Sequence, residues 1–381
     1  MGAANFEHSP DDSAGVTEAA GTPPGSVRAQ RESTPEIATS ATDGHRLCVA
    51  PMMDWTDRHD RYLLRLVSRH VRLYTEMIPT GALLYGDRKR FLAHDPAEHP
   101  LAVQLGGSDP GEMARCARLA EQAGFDEVNM NVGCPSPRVQ AGRFGACLMA
   151  EPARVAACVA AMRDAVSVPV TVKTRLGVDE HDSYPLLAEL VQGVADAGCE
   201  TLIVHARKAW LQGVSPRQNR ELPPLRYPWV YRLKRDFPRL RIVLNGGVRA
   251  LDAAHAHLAH VDGVMIGREA YHNPYLLAGA DRRFFGGLAP IRTRAEILAD
   301  YLSYIDAQLQ AGVHLKHTAR HVLGLFHGAP GARAWRRAIG SEAHRPGSGS
   351  EVIRAAAQYV LPPSGLVESA AREVATEPLF A

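Results

Sequence analysis

Cys134 stands in the run Asn131-Val132-Gly133-Cys134-Pro135, a tight Gly-Cys-Pro turn and not an apolar helix face. A thiol with an ordinary pKa of about 8.5 is mostly protonated near neutrality, so in a cleft it can serve as a proton donor. The competing reading is a small buried residue in a turn, the usual state of a free cysteine. That reading holds for Cys48, Cys116, Cys158 and Cys199, which fall in strand or helix patterns, and Cys147 is expected to pack at a helix start. Lys173 closes the run Val170-Thr171-Val172, and His205 follows Thr201-Leu202-Ile203-Val204. The lysine is either a solvated cation or a charge held against an anionic ring; the histidine is either a satisfied core residue or a donor at the same place. Gln104 offers an amide that can bind a ring edge as both donor and acceptor. Asn245-Gly246-Gly247 and Gly267-Arg268 supply close backbone N–H groups and a guanidinium, the parts of a phosphate site.

These residues share one kind of position. From His45 onward a short apolar strand, a turn and a helix-length amphipathic segment recur, with strands expected at 46–50, 72–76, 101–105, 126–131, 169–173, 201–205, 241–245 and 262–266. Helical patterns such as 111–123, 152–166 and 185–197 lie between them. Alternating apolar strands and helices indicate parallel βαβ units, and eight of them fit a (β/α)8 TIM barrel, an α/β fold. No GxGxxG opens the first helix, which weakens a dinucleotide-binding alternative. In such a barrel, functional side chains sit at the C-terminal ends of strands, and phosphate is often held after strands 7 and 8. Asn245-Gly246-Gly247 and Gly267-Arg268 end those two strands, so a phosphorylated cofactor is expected there.

After about residue 289 the strands stop, and segments 293–311, 315–326, 332–340 and 349–360 read as helices. The expected organisation is therefore a tail over 1–43, a barrel over 44–288 and a small C-terminal helical bundle domain over 289–381. The tail is rich in Ser, Thr, Pro, Gly and Ala without a periodic apolar face, and reads as disordered. Net charge is only +2, so contact with nucleic acid requires a local patch. One exists: between Ala307 and Ser341 there is no Asp or Glu, but Lys316, Arg320, Arg333, Arg336 and Arg337 are present. The six cysteines form no CxxC pair, which suits a reducing compartment. With no membrane-length apolar run and no secretory h-region, the chain reads as soluble and cytoplasmic. No metal site and no protein partner are inferred.

Taken together the chain resembles the tRNA-dihydrouridine synthases, and most of all their bacterial A subfamily. The runs that carry the resemblance include APMMDWTDRH (50–59), QLGGSDP (104–110), NMNVGCPSPRVQ (129–140), VKTRLG (172–177), HARKAWLQGVSP (205–216), NGGV (245–248), DGVMIGREAY (262–271) and LGLFHGAPGARAWRR (323–337). They are ordered and span about residues 45 to 345; the two ends match nothing distinctive.

The resemblance implies a barrel that holds FMN, a helical domain that grips tRNA, and NADPH as electron donor. It implies flavin contacts at Pro51, Met52, Met53, Gln104, Lys173 and His205, with Asn245, Gly246, Gly247, Gly267 and Arg268 at the phosphate end. Asn131 would contact the target nucleotide, and Arg217, Arg220, Arg333 and Arg336 would orient the tRNA. The implied reaction saturates the C5–C6 bond of D-loop uridines 20 and 20a. C6 is conjugated to the C4 carbonyl and accepts hydride, after which Cys134, as a neutral acid, protonates C5. One alternative is an FMN barrel acting on a free pyrimidine, and the basic helical appendage discriminates against it. A second is a non-catalytic tRNA-binding protein or chaperone that retained the barrel, and intact Cys134, Lys173 and His205 speak against it.

Overall fold

The computed structural model describes residues 43–362. The expected tail, apart from Asp43, and the segment beyond 362 lie outside the described residues. Eight strands appear where the pattern places them: β1 Leu47–Val49, β2 Leu73–Pro79, β3 Leu101–Gly106, β4 Glu127–Val132, β5 Val170–Arg175, β6 Thr201–His205, β7 Arg241–Asn245 and β8 Gly263–Ile266. Every ladder is parallel, in the order β1-β8-β7-β6-β5-β4-β3-β2. The gap between β1 and β2 is bridged by the Val49 N–H donating to the Arg72 carbonyl at 2.9 Å and the Arg72 N–H to the Leu47 carbonyl at 3.2 Å. The chain is thus a (β/α)8 TIM barrel, with helices on the outside of the sheet.

Two strands run two or more residues further than their apolar patterns suggest. β5 continues to Arg175, because Thr174 and Arg175 keep pairing with Val204 and His205 of β6. Lys173 therefore sits within the strand and not at its end. β2 continues to Pro79 and runs straight into a short helix, Thr80–Tyr85. Outer helices start where the chemistry of caps dictates: Asp109 and Ser183 accept backbone N–H groups of Glu112 and Leu186, and a proline occupies the first turn of each helix.

Side chains on the outer sheet face join the helices in one large core. The inner face carries a smaller cluster, Cys48, Tyr74, Ala102, Ile203, Val243 and Met265, which fills the barrel lumen. At the N-terminal end of the lumen lies Glu127, fully buried. Its carboxylate accepts from the Tyr74 hydroxyl at 2.9 Å and the Thr171 hydroxyl at 2.6 Å, and lies 2.7 Å from His45 Nε2 and 3.4 Å from Arg72.

Among the described residues four helices follow the barrel: Arg294–Gln310, Leu315–Val322, Ala332–Glu342 and Glu351–Ala357. The first opens on a capping box, Thr293 with Glu296. It packs on the first barrel helix, Arg58–Val67, through stacked Tyr62 and Tyr304 rings 3.9 Å apart and a 2.7 Å hydrogen bond between His59 and the Tyr304 hydroxyl. Asp57 caps the barrel helix, accepting from the His59 and Asp60 N–H groups, and also meets Arg320 and buried His321 of the second C-terminal helix. Among the described residues no helix is long and apolar enough to cross a membrane.

Burial raises the Glu127 pKa, but attraction to His45 and Arg72 and the hydrogen bonds outweigh it, and the carboxyl is held at about 2. Since that lies below the unfolded value of about 4.3, the stabilisation is present above that pH and fades as acid approaches the folded value. Glu127→Gln should melt below the parent at neutral pH, with the gap narrowing as the pH falls from about 4.5 towards about 2. A gap that stays constant across that window in thermal melts would contradict an ionised Glu127.

Candidate active site

The inner residues of β4 alternate Glu127, Asn129, Asn131, and all are buried. They form one hydrogen-bonded column. Asn129 Nδ2 donates to Thr171 at 2.8 Å, Gln104 Nε2 donates to Asn129 Oδ1 at 2.7 Å, and Asn131 Nδ2 donates to Gln104 Oε1 at 2.8 Å. With its amide nitrogen so engaged, Asn131 turns its carbonyl oxygen to the following loop. There it accepts the N–H groups of Gly133 at 3.1 Å and Cys134 at 3.0 Å. This is an Asx turn, and it sets the backbone of Cys134.

From the other side, the Cys134 carbonyl accepts the Ala146 N–H at 2.9 Å. Gly145, at φ +75°, allows that approach: a Cβ there would lie 2.6 Å from the Cys134 carbonyl oxygen and 2.4 Å from Val139. Arg175 adds a third tie, donating to the Gly133 carbonyl at 2.9 Å and to the Lys208 and Asn219 carbonyls at 3.0 Å. The Cys134 thiol is free and half-buried. Cys48, Cys116, Cys158 and Cys199 are buried, and Cys147 sits in the short 3-10 helix Gly145–Ala150.

Cys134 opens into a cleft of about 2150 Å³ at the C-terminal ends of the strands. Pro51, Met52, Met53, Gln104, Asn131, Lys173, His205, Arg220, Asn245, Gly246, Gly247, Gly267 and Arg268 line the same cleft. Arg217, Arg333 and Arg336 do not. His317 and Arg320 of the helix Leu315–Val322, with its cap residue His314, complete one wall.

Among the described residues the Lys173 ammonium has no hydrogen-bond or ion-pair partner. Burial, and then the nearby Arg175 charge, lower its pKa to about 8. An unpaired cation held inside a barrel is costly unless an anion joins it. His205 is kept well below its ordinary pKa by burial and by Arg175 and Lys173, so its ring is neutral and carries one donor and one acceptor.

Gly246 and Gly247 form the floor beside it, with φ of +110° and +74°. A Cβ on Gly246 would meet the His205 ring at 2.6 Å, and one on Gly247 would meet Leu225 and the Tyr227 hydroxyl at 2.6 Å. The Tyr227 hydroxyl braces this shelf by donating to the Gly246 carbonyl at 2.8 Å. Gly267 has an ordinary φ, and a Cβ there would meet only Ala50 at 3.9 Å. Asn245 spends its side chain inside the sheet, donating to the Met265 carbonyl at 2.8 Å. Arg268 is paired with Glu221 at 2.6 Å, and Glu221 also lies 3.5 Å from Arg217.

Across residues 48–359 the chain matches the family model described as "Dihydrouridine synthase (Dus)". The chain belongs to the dihydrouridine synthase family. It is accordingly an oxidoreductase acting on a CH–CH bond. It is 58% identical over 314 residues to a Vibrio parahaemolyticus protein named tRNA-dihydrouridine(20/20a) synthase, covering 82% of this chain and 96% of that one. Proteins of the same name from Vibrio cholerae, at 57% over 316 residues, and Pseudomonas putida, at 58% over 313 residues, are similar. These alignments cover 83% and 82% of this chain, and 96% and 93% of the relatives.

Within this family frame, the site contains residues that sequence reasoning left without a role. Asn129 and Thr171 build the column beneath Gln104, and Arg175 and Tyr227 brace the loops. The period-two run Glu127-Asn129-Asn131 was the one available signal, since polar residues at alternate positions share a strand face. Arg320 moves the other way: it reads as part of a free basic stretch but is paired with Asp57.

Asn129→Leu leaves the Gln104 amide and the Thr171 hydroxyl short of a partner. It should cost about 1–3 kcal/mol of stability, measured by denaturant unfolding. If the column orients the Asn131 turn, alkylation of Cys134, followed by peptide mass mapping, will also change rate. A wild-type rate would separate the column from the thiol.

Proposed function

We propose that this protein is an FMN-dependent tRNA-dihydrouridine synthase. It reduces the C5–C6 bond of D-loop uridines 20 and 20a with electrons from NADPH, in the cytoplasm. One observation carries the reading: the Cys134 thiol shares its cleft with a half-buried Lys173 ammonium that has no partner among the described residues, and with a braced Gly246-Gly247 shelf. The names of the relatives add the substrate and the two positions.

The residues fit the flavin. A glycine shelf that tolerates no Cβ suits close backbone approach to a phosphate, and Asn245, Gly267 and Arg268 flank it. Pro51, Met52 and Met53 line the same cleft after β1, and Gln104 and His205 offer hydrogen-bonding edges. When bound and reduced, FMN supplies the hydride that uracil accepts at C6. Lys173 stabilises negative charge beside it, which also relieves the cost of its own burial. Cys134 releases its Sγ–H proton to C5, and its thiolate is reprotonated from solvent. Asn131, whose second amide hydrogen is not used in the column, contacts the base.

The cleft exceeds the roughly 300–1,000 Å³ of ordinary small-molecule pockets, as expected for a cofactor plus an everted nucleotide. This favours tRNA over a free pyrimidine. In this reading residues 44–288 are the catalytic domain and 289–381 the tRNA-binding domain. Arg333 and Arg336 lie exposed on the helix Ala332–Glu342, whose Trp335 and Ile339 are buried, and with Arg217 and Arg220 they hold the tRNA backbone.

The decisive experiment incubates the purified protein with NADPH and tRNA lacking modifications, and maps dihydrouridine. The expected product is dihydrouridine at positions 20 and 20a; a colourless protein that leaves the tRNA unchanged overturns the reading. Cys134→Ala should keep flavin and tRNA binding and lose on the order of 10²–10⁴-fold in reduction rate; full turnover would remove Cys134 from the mechanism.

Lys173→Met should bind flavin more weakly yet make the flavin-free protein more stable at neutral pH. The sign follows from a folded pKa of about 8, below the unfolded lysine value of about 10.4. Charged Lys173 opposes folding below the folded value, and the penalty lifts as the pH rises between the two. Melting of the flavin-free proteins against pH checks this, and a parent-to-variant gap that does not narrow over that interval contradicts it.

A further inference from the structure

The cleft has a second group of cations, on the segments that follow β2 and β4. Lys89 and Arg90 lie in the short helix Arg88–Phe91, Arg138 lies in the helix Pro137–Ala141, and all three line the cleft. Their neighbours are already committed. Arg88 donates to the Leu83 and Leu84 carbonyls at 3.2 and 3.1 Å, closing the end of the helix Thr80–Tyr85. Asp87 caps the next helix, accepting the Arg90 N–H at 3.1 Å. Arg268 and Arg320, elsewhere on the same cleft, are neutralised by Glu221 and Asp57. By contrast the side chains of Lys89, Arg90 and Arg138 are exposed and, among the described residues, have no hydrogen bond or ion pair.

Like charges gathered on one rim repel each other, and the repulsion is relieved when a polyanion arrives. The three are spread over two segments of the cleft. That arrangement suits successive phosphates along a strand better than one enclosed anion. We propose that Lys89, Arg90 and Arg138 form a phosphate-binding rim for the RNA strand that flanks the nucleotide entering the cleft. The proposal rests on the tRNA substrate inferred above. Such contacts place the strand in register without reading its bases.

The test measures binding of unmodified tRNA to the flavin-loaded protein over a range of salt concentrations, with dihydrouridine formation by the parent measured in the same preparation. Lys89→Ala/Arg90→Ala should weaken binding on the order of tenfold and reduce the slope of log K against log salt by about 1.4, at about 0.7 per single-stranded phosphate contact. Flavin content and NADPH oxidation without tRNA should be unchanged, showing that the variant is folded. Lys89→Arg/Arg90→Lys should restore both affinity and slope. Arg235→Ala/Arg239→Ala removes the same charge from exposed positions outside the cleft and should bind like the parent. Wild-type affinity and slope in the alanine pair, or an equal loss in the control pair, overturns the rim. A parent that forms no dihydrouridine overturns the broader reading instead, so the two failures are distinguishable.

Discussion

A buried carboxylate organises this barrel. Glu127 sits fully enclosed at the N-terminal end of the lumen, where an unpaired charge is prohibitively costly. It is tolerated because His45, Arg72, Tyr74 and Thr171 converge on it from the segments around β1, β2 and β5. Arg72 is also the residue whose backbone joins β2 to β1. The strand pair with the sparsest pairing is therefore held by the same side chain that neutralises the charge.

That polar requirement propagates towards the open end. Each amide in the column from Thr171 through Asn129 and Gln104 to Asn131 has its orientation set by the one below it. The final member presents its oxygen to the Cys134 loop. A lumen filled only with aliphatic side chains would pack well but would pass no orientation along its axis. The column makes the placement of Cys134 a consequence of the barrel's closure, with Gly145 and Arg175 bracing the loop from the sides.

The open end is organised by the opposite principle, incomplete neutralisation. Among the described residues Lys173 is left without a partner, and His205 is held neutral. Around them some cations are paired and others, among the described residues, are not. Asp57 supplies one such pairing: it caps a barrel helix and holds Arg320 and His321, so the C-terminal helices are fastened beside the cleft.

Much of this was legible in the sequence. Short apolar runs, turns and amphipathic helical segments in alternation give eight βα units, because such patterns are local properties. The same order places Cys134, Lys173, His205, Gly246 and Gly247 at one end of the barrel, since each lies at or near a strand's C-terminal end. The strand lengths of β2 and β5 were not legible, because Thr174 and Arg175 extend β5 only through pairing with β6. Nor was the state of each charge. Arg268 meets Glu221 across a loop, and Arg320 meets Asp57 from a distant part of the chain. No local period records such partners. The sequence by itself determined which residues reach the mouth of the barrel; tertiary structure alone decided which of them are already satisfied and which still need a ligand, because neutralising a charge depends on distance in space and not along the chain.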